Sequence, residues 1–89
     1  MRDSQAIGVQ KEIGQRIHRA RVAAGMTQEE AAAAAGIDHK RWQRLEQGAV
    51  NPTARTLVRV ATALGLTFWA LLASPAGSGE PAAPAKRGK

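Results

Sequence analysis

The sequence contains no cysteine and no tyrosine, and only one phenylalanine and two tryptophans. Without cysteine the chain can form neither a disulfide nor a thiolate metal site, and two well-separated histidines cannot form a metal site by themselves. It also shows no nucleophile paired with a base and no carboxylates gathered at a recognisable spacing. We therefore expect neither an enzyme nor a protein that carries a metal or another cofactor.

Long apolar runs are missing as well. The first ten residues, MRDSQAIGVQ, hold no continuous apolar segment of signal-peptide length. No later segment approaches the roughly 20 apolar residues that are needed to span a bilayer. We expect a soluble, cytoplasmic protein that does not contact a membrane.

The 89 residues are enough for one small domain, and 44% of them are apolar, mostly alanine, valine, leucine and isoleucine. The segment 74–89, SPAGSGEPAAPAKRGK, has almost no side chain large enough to bury, so we expect a disordered tail. Residues 1–8 are similar in character and are expected to be flexible. The predicted folded domain is therefore 9–73.

Acidic residues are scarce: 7 Asp and Glu stand against 13 Lys and Arg, for a net charge of +6 and a pI of about 11.2. Such a balance predicts attraction to a polyanion, without naming which one. Part of the excess lies in the tail, at Lys86, Arg87 and Lys89, where it would be solvated in any case.

The first two predicted helices have clear ends. Apolar residues recur every three or four positions from Ile13 to Ala24, and Gly25 is placed to end that helix. Thr27 followed by Glu30 is the capping-box pattern, which predicts that helix two begins at Gln28. Helix two should continue through the alanines over 28–35, and Gly36 supplies the unusual backbone of a sharp exit.

Three further helices follow. Asp38 is a suitable N-cap for a third helix over 39–47, which buries Trp42 and Leu45 and ends at Gly48. A fourth helix begins near Pro52 and carries an apolar stripe from Leu57 to Leu64. A short fifth helix follows a Thr67 cap. No strand pattern appears, so the predicted fold class is all-α with five helices.

The alanines of helix two precede a cluster of polar and basic residues for a steric reason. Two short helices can pack closely at a steep angle only where the contact residues are small, and Ala32 and Gly36 meet that condition. The outer surface of helix three is then free to enter a groove. The major groove of DNA admits one helix and offers hydrogen-bond acceptors on guanine. The side chains available there are His39, Lys40, Arg41, Gln43 and Arg44.

The string from Gln28 to Gln47 resembles the helix-turn-helix of the Xre family, which includes the Cro and lambda-type phage repressors. The matching features include "LEQG" at 45–48 and "NPT" at 51–53, and the resemblance extends from "IGQRI" at 13–17 to "ALGLTFWALL" at 63–72. It implies a compact five-helix, lambda-repressor-like domain that binds operator DNA as a homodimer.

The resemblance also implies roles for individual residues. His39, Lys40, Arg41, Gln43 and Arg44 match positions that contact DNA bases, and Thr27, Gln28 and Asn51 match positions that contact phosphates. Arg21 and Glu46 match a structural ion pair. We interpret His18 as a surface residue of helix one without a role. Trp42 stands where the family more often has isoleucine or leucine. Trp69, at a usually polar position, is either a core residue or a dimer contact.

The leading hypothesis is a sequence-specific DNA-binding transcription regulator, a repressor of an inverted-repeat operator, found at the nucleoid. Restriction-modification controllers, phage-type repressors and antitoxins all fit the resemblance. The alternative is an antitoxin or adaptor whose main partner is another protein, held by Trp69, the fifth helix or the tail. RNA is a weaker alternative, because no pair of exposed aromatic residues suited to base stacking appears in the sequence.

Overall fold

The computed structural model describes residues 2–73, with side chains from residue 4 onward. It contains five helices in the order α1 (Arg2–Ala23), α2 (Gln28–Ala35), α3 (His39–Gln47), α4 (Ala54–Ala63) and α5 (Phe68–Ala73), and no strand in that range. The prediction of an all-α, five-helix fold is confirmed. The predicted disordered tail at 74–89 lies outside the described residues.

Local signals in the sequence set the start and the end of α2 and the start of α3. The Thr27 hydroxyl accepts a hydrogen bond from the Glu30 backbone N–H at 3.0 Å, and the Thr27 N–H donates to the Glu30 carboxylate at 2.9 Å. Gly36 then adopts a φ of +70°, which glycine tolerates without a Cβ penalty, and Asp38 accepts from the Lys40 N–H at 3.0 Å. Both helices therefore span the residues that the sequence predicts.

The core lies between α1, α3, α4 and α5, and α2 closes it with alanines. The largest fully buried side chains are Trp42, Ile17, Leu45, Leu71 and Val60. Ala31, Ala32 and Ala35 are buried on the inner face of α2, which packs against α3 and α4. Because these side chains are small, α2 can lie close to its neighbours.

Two glycines allow α1 to lie directly against the end of α3. A Cβ on Gly14 would come within 2.6 Å of the backbone carbonyl oxygens of Leu45 and Glu46, and a Cβ on Gly48 would come within 2.6 Å of the Lys11 Cα. The Gln10 side chain also donates a 3.4 Å hydrogen bond to the Gly48 carbonyl. This contact fixes the direction in which α3 leaves the core.

The N-terminal boundary requires a correction. The prediction that residues 1–8 precede the folded domain is wrong for the part that the structure describes, because α1 already begins at Arg2. The side chains from Ser4 to Val9 are all exposed. Burial therefore does not create these first turns: once the packed part of α1 has formed, each added residue extends the helix at little cost, and no proline interrupts it.

Candidate nucleic-acid interface

The outer face of α3 carries long basic and amide side chains. Consecutive residues of a helix are about 100° apart, so Lys40 and Arg44 lie one turn apart on the side opposite the buried Trp42 and Leu45. Both are exposed, as is Gln47 one further turn along. The face that would enter a groove therefore presents two cations and an amide, and no apolar side chain.

The other predicted base-contacting residues lie on the two flanks of this face. His39 and Gln43 are half-buried on the flank toward the start of α2, where the Nδ1 atom of His39 is 3.8 Å from the Glu29 carboxylate. Arg41 is exposed on the opposite flank. The five residues thus form one continuous surface, with Lys40 and Arg44 at its centre.

In residues 4–73, the acidic side chains have partners within the protein, whereas several basic side chains do not. Every carboxylate from residue 4 to residue 73 has a partner: Glu12 binds Arg16, Glu29 lies near His39, and the other three cap a helix or bind Arg21. By contrast, the side chains of Lys40, Arg41 and Arg44 have no hydrogen-bond or ion-pair partner among the described residues. These cations remain available to an anionic ligand.

Beneath this face, one carboxylate joins three helices. Glu46 Oε2 accepts hydrogen bonds from Arg21 Nε at 2.6 Å and from Trp42 Nε1 at 2.7 Å. Glu46 Oε1 lies 3.0 Å from both Gln28 Nε2 and His18 Nδ1, and 3.3 Å from Arg21 Nη2. We call Glu46 and these four residues the Glu46 network. Because its members come from α1, α2 and α3, the network fixes α3 relative to the rest of the domain.

The Glu46 network holds its carboxylate in the charged form. Burial of the side chain raises the pKa of Glu46, but the hydrogen bonds from Arg21, Trp42, His18 and Gln28 lower it by more, and the net pKa is about 2, against an ordinary value of 4.5. The carboxylate therefore stays ionised through the whole physiological range and counters the Arg21 guanidinium.

Part of this network could not be expected from the resemblance. The structure places Arg21 and Glu46 together as an ion pair, at the positions named from the sequence. His18 is a surface residue, as expected, but its ring lies against Glu46, a contact that the sequence did not predict. The Trp42 indole was expected only to be buried, although the spacing of four residues between Trp42 and Glu46 would have permitted their hydrogen bond to be predicted.

The three predicted phosphate-contacting residues lie at two places in the chain, one before α3 and one after it. Thr27 and Gln28 form the N-terminal end of α2, where free backbone N–H groups favour an anion. Asn51 is exposed in the loop between α3 and α4. The Gln28 side chain is partly engaged, since one of its two amide hydrogens is directed to Glu46 and the other remains available.

Trp69 is a surface residue. Its side chain is 74% exposed, so the alternative that placed it in the core is wrong. The ring packs edge-on against Phe68, with the two centroids 4.8 Å apart. A rigid, exposed aromatic side chain on α5 is suited to contact another protein surface.

In residues 2–73 there is no group of three or more histidines or carboxylates that could hold a metal ion. Over the same range, no helix has the length and apolar character needed to cross a membrane.

Comparison with known proteins places this arrangement in context. A family model described as "Helix-turn-helix domain" matches residues 12–71. The HTH-type transcriptional regulator y4dJ of Sinorhizobium fredii is 39% identical over 59 residues, which cover 66% of this chain and 77% of that protein.

Solved structures give the same result. The restriction-modification controller protein C.AhdI from Aeromonas hydrophila superposes with a TM-score of 0.70 at 30% identity, over 72% of this chain and 97% of that one. ComR from Streptococcus suis superposes with a TM-score of 0.64 at 32% identity. That match covers 81% of this chain but only 23% of ComR.

Proposed function

Because the chain belongs to the Xre-type helix-turn-helix family of DNA-binding transcription regulators, we propose that it is a repressor that binds an inverted-repeat operator as a homodimer. In this proposal α3 enters the major groove and Lys40 and Arg44 contact base edges. The protein regulates transcription and is not an enzyme. It acts in the cytoplasm, at the nucleoid.

The observation that carries this proposal is that the cations on the outer face of α3 have no partner within residues 4–73. An arginine can donate two hydrogen bonds to O6 and N7 of one guanine, and a lysine can donate to the same atoms. One good pair of this kind contributes about 1–3 kcal/mol of discrimination against the wrong base. We therefore propose a half-site that contains guanine, with Arg41, Gln43 and His39 contacting the neighbouring bases.

Thr27, Gln28 and Asn51 would fix the orientation of α3 by contacting phosphates on either side of it. Such contacts position a protein on the duplex without carrying sequence information. The two groups of residues flank α3 in the chain, at the start of α2 and in the loop after α3. Because these three side chains are neutral, their contribution should depend little on salt or on base sequence, whereas that of the cations Lys40 and Arg44 should depend on both.

The homodimer is proposed from symmetry and from Trp69. Two copies whose α3 helices lie about 34 Å apart would enter the major groove at successive turns of the DNA. Because the two copies are related by twofold symmetry, the DNA they bind carries an inverted repeat. Trp69 supplies a large exposed aromatic side chain outside the DNA-contacting surface, on α5. We assign it to the contact between the two copies.

A direct test is selection of bound duplexes from a random pool at near-physiological salt, repeated with Arg44→Ala. The expected result is enrichment of an inverted repeat, with one base position relaxed by the substitution. Arg59→Ala is a matched control, because Arg59 is an exposed arginine on α4 that the proposal does not place in the groove. Weak, strongly salt-dependent binding without sequence preference would overturn the proposal of sequence-specific recognition.

The exposure of Trp69 also favours a second candidate, an antitoxin or adaptor whose main partner is another protein. A tryptophan that binds a partner would become protected when that partner is added, whereas a tryptophan in a homodimer is protected in the protein alone. Sedimentation of the purified chain, alone and with Trp69→Ala, distinguishes the two. A monomer whose mass the substitution leaves unchanged would contradict the homodimer.

A further inference from the structure

The two oxygens of the Glu46 carboxylate are not equivalent. Oε2 accepts two short hydrogen bonds, at 2.6 Å from Arg21 and 2.7 Å from Trp42. Oε1 has three neighbours at 3.0–3.3 Å, which are Gln28 Nε2, His18 Nδ1 and Arg21 Nη2. A carboxylate oxygen offers about two lone-pair positions, so three donors cannot all be accommodated at Oε1.

His18 decides which of the three donors bind, because its Nδ1 atom faces two opposite groups. Nδ1 lies 3.0 Å from the acceptor Glu46 Oε1 and 3.2 Å from the donor Arg21 Nη2. The Arg21 donor favours the neutral tautomer that carries its proton on Nε2. In that form Nδ1 accepts from Arg21 and cannot donate to Glu46, so Oε1 is left to Gln28 and to the longer Arg21 contact. With a proton, Nδ1 donates to Oε1 and competes with the neutral amide of Gln28.

We propose that His18 is a positioning residue for DNA binding, because its protonation controls whether Glu46 holds the Gln28 side chain in place for a phosphate contact. This inference rests on the proposed role of Gln28 at the DNA backbone. When one amide hydrogen of Gln28 is bound to Glu46, the amide plane is fixed and the second hydrogen points in one direction. Protonated His18 displaces that hydrogen bond. The Gln28 side chain is then free to move, and it must lose that conformational freedom when it binds a phosphate.

The surroundings of His18 assign this behaviour to the histidine itself. The charged groups that face its ring are Arg21 from α1 and Glu46 from α3, and α2 contributes only the neutral amide of Gln28. Glu46 remains a carboxylate at pH 8 and pH 5.5, because its pKa is about 2. The His18 side chain is 54% exposed, so it can exchange protons with solvent and can be replaced without opening a cavity.

The test measures duplex affinity of the full chain and of Gln28→Ala at pH 8 and pH 5.5, at constant salt. The quantity of interest is the ratio of the two dissociation constants, which isolates the Gln28 contact from the general effect of charge. At pH 8 we expect Gln28→Ala to bind about tenfold more weakly, the effect of one hydrogen bond to a charged phosphate. At pH 5.5 the ratio should fall to about twofold or less.

Two variants serve as controls. In a His18→Ala background the ratio should stay at its pH 8 value at both pH values, because no donor competes for Oε1. Asn51→Ala removes a proposed phosphate contact that is not connected to Glu46, and its ratio should not change with pH. A Gln28 ratio that is independent of pH, or that changes equally with and without His18, overturns the inference; the latter result would assign the effect to His39.

A measurement without DNA separates this inference from the proposed function. The side-chain amide resonances of Gln28 should shift between pH 8 and pH 5.5, and should not shift in His18→Ala. If they shift but the protein binds no duplex, the control of Gln28 by His18 stands and its role in DNA binding is overturned. If they do not shift, the control itself is overturned.

Discussion

The inner and outer faces of α3 use polar groups in opposite ways. On the inner side, Glu46 is 5% exposed and is held by four residues. On the outer side, Lys40 and Arg44 are exposed and bind nothing in the described part of the chain. A charged group that already has partners serves the fold, and one without partners is available to a ligand. Substitutions should therefore lower stability on one face and DNA affinity on the other.

The largest effect on stability is expected from Glu46→Ala. This change leaves the half-buried Arg21 guanidinium without its counter-ion and the Trp42 indole N–H without an acceptor. Breaking such a pair costs about 3–5 kcal/mol. Glu12→Ala is the matched control, because Glu12 belongs to a more exposed ion pair with Arg16, whose loss should cost about 1 kcal/mol or less. Urea titrations give both values, and similar midpoints for the two variants would contradict the division between the faces.

Acid should weaken the same network. The pKa of Glu46 is about 2 in the folded protein, below its ordinary value of 4.5, so the unfolded chain binds this proton more tightly. The resulting stabilisation is fully present above pH 4.5 and is lost as the pH falls toward 2. It amounts to about 3 kcal/mol. Thermal melts of the wild type and Glu46→Gln should therefore converge across this range, and a constant gap between them would contradict the assignment.

A smaller loss is expected where α1 meets the end of α3. Gly14→Ala would press a methyl group against the carbonyls of Leu45 and Glu46, and such overpacking costs about 1–3 kcal/mol. Gly8→Ala is the matched control in the same helix, because its added Cβ would meet nothing within 4 Å beyond the neighbouring backbone of α1. Removing a helical glycine there should stabilise the chain by about 0.5–1 kcal/mol. Chemical denaturation would reveal the opposite signs, and equal signs would show that the close approach is not rigid.

The smallest effect on stability should come from the outer face. Lys40→Ala removes an exposed side chain without a partner among residues 4–73, so the unfolding free energy should change by no more than about 0.5 kcal/mol. Duplex affinity, in contrast, should fall by about tenfold, within the 1–3 kcal/mol typical of a base contact. Calorimetry and a binding titration on one preparation measure both. A large stability loss here would show that the outer face also supports the fold.

The sequence predicts this fold well where the signals are local. The spans of α2 and α3 follow from Thr27, Gly36, Asp38 and Gly48, each of which acts within a few residues of its own position. The start of α1 was missed, because its first turns depend on extension from a packed segment and leave no burial pattern.

The exposed side chains of the candidate site could also be predicted from the sequence, but the contact between His18 and Glu46 beneath them could not. The exposed cations of α3 follow from helical spacing around Trp42 and Leu45. The contact between His18 and Glu46 joins residues 28 positions apart. Only the packing angle of α1 on α3 brings them together, and that angle depends on the close approach at Gly14.

The difference in burial between the two tryptophans gives the protein two distinct optical reporters. With no tyrosine in the chain, its ultraviolet emission comes almost entirely from Trp42 and Trp69. Trp42 is fully buried and bonded to Glu46, so a dissolved quencher cannot reach it until the core opens. Trp69 meets solvent directly and is quenched at once unless another protein surface covers it. One fluorescence experiment can thus follow folding and association separately, without a label.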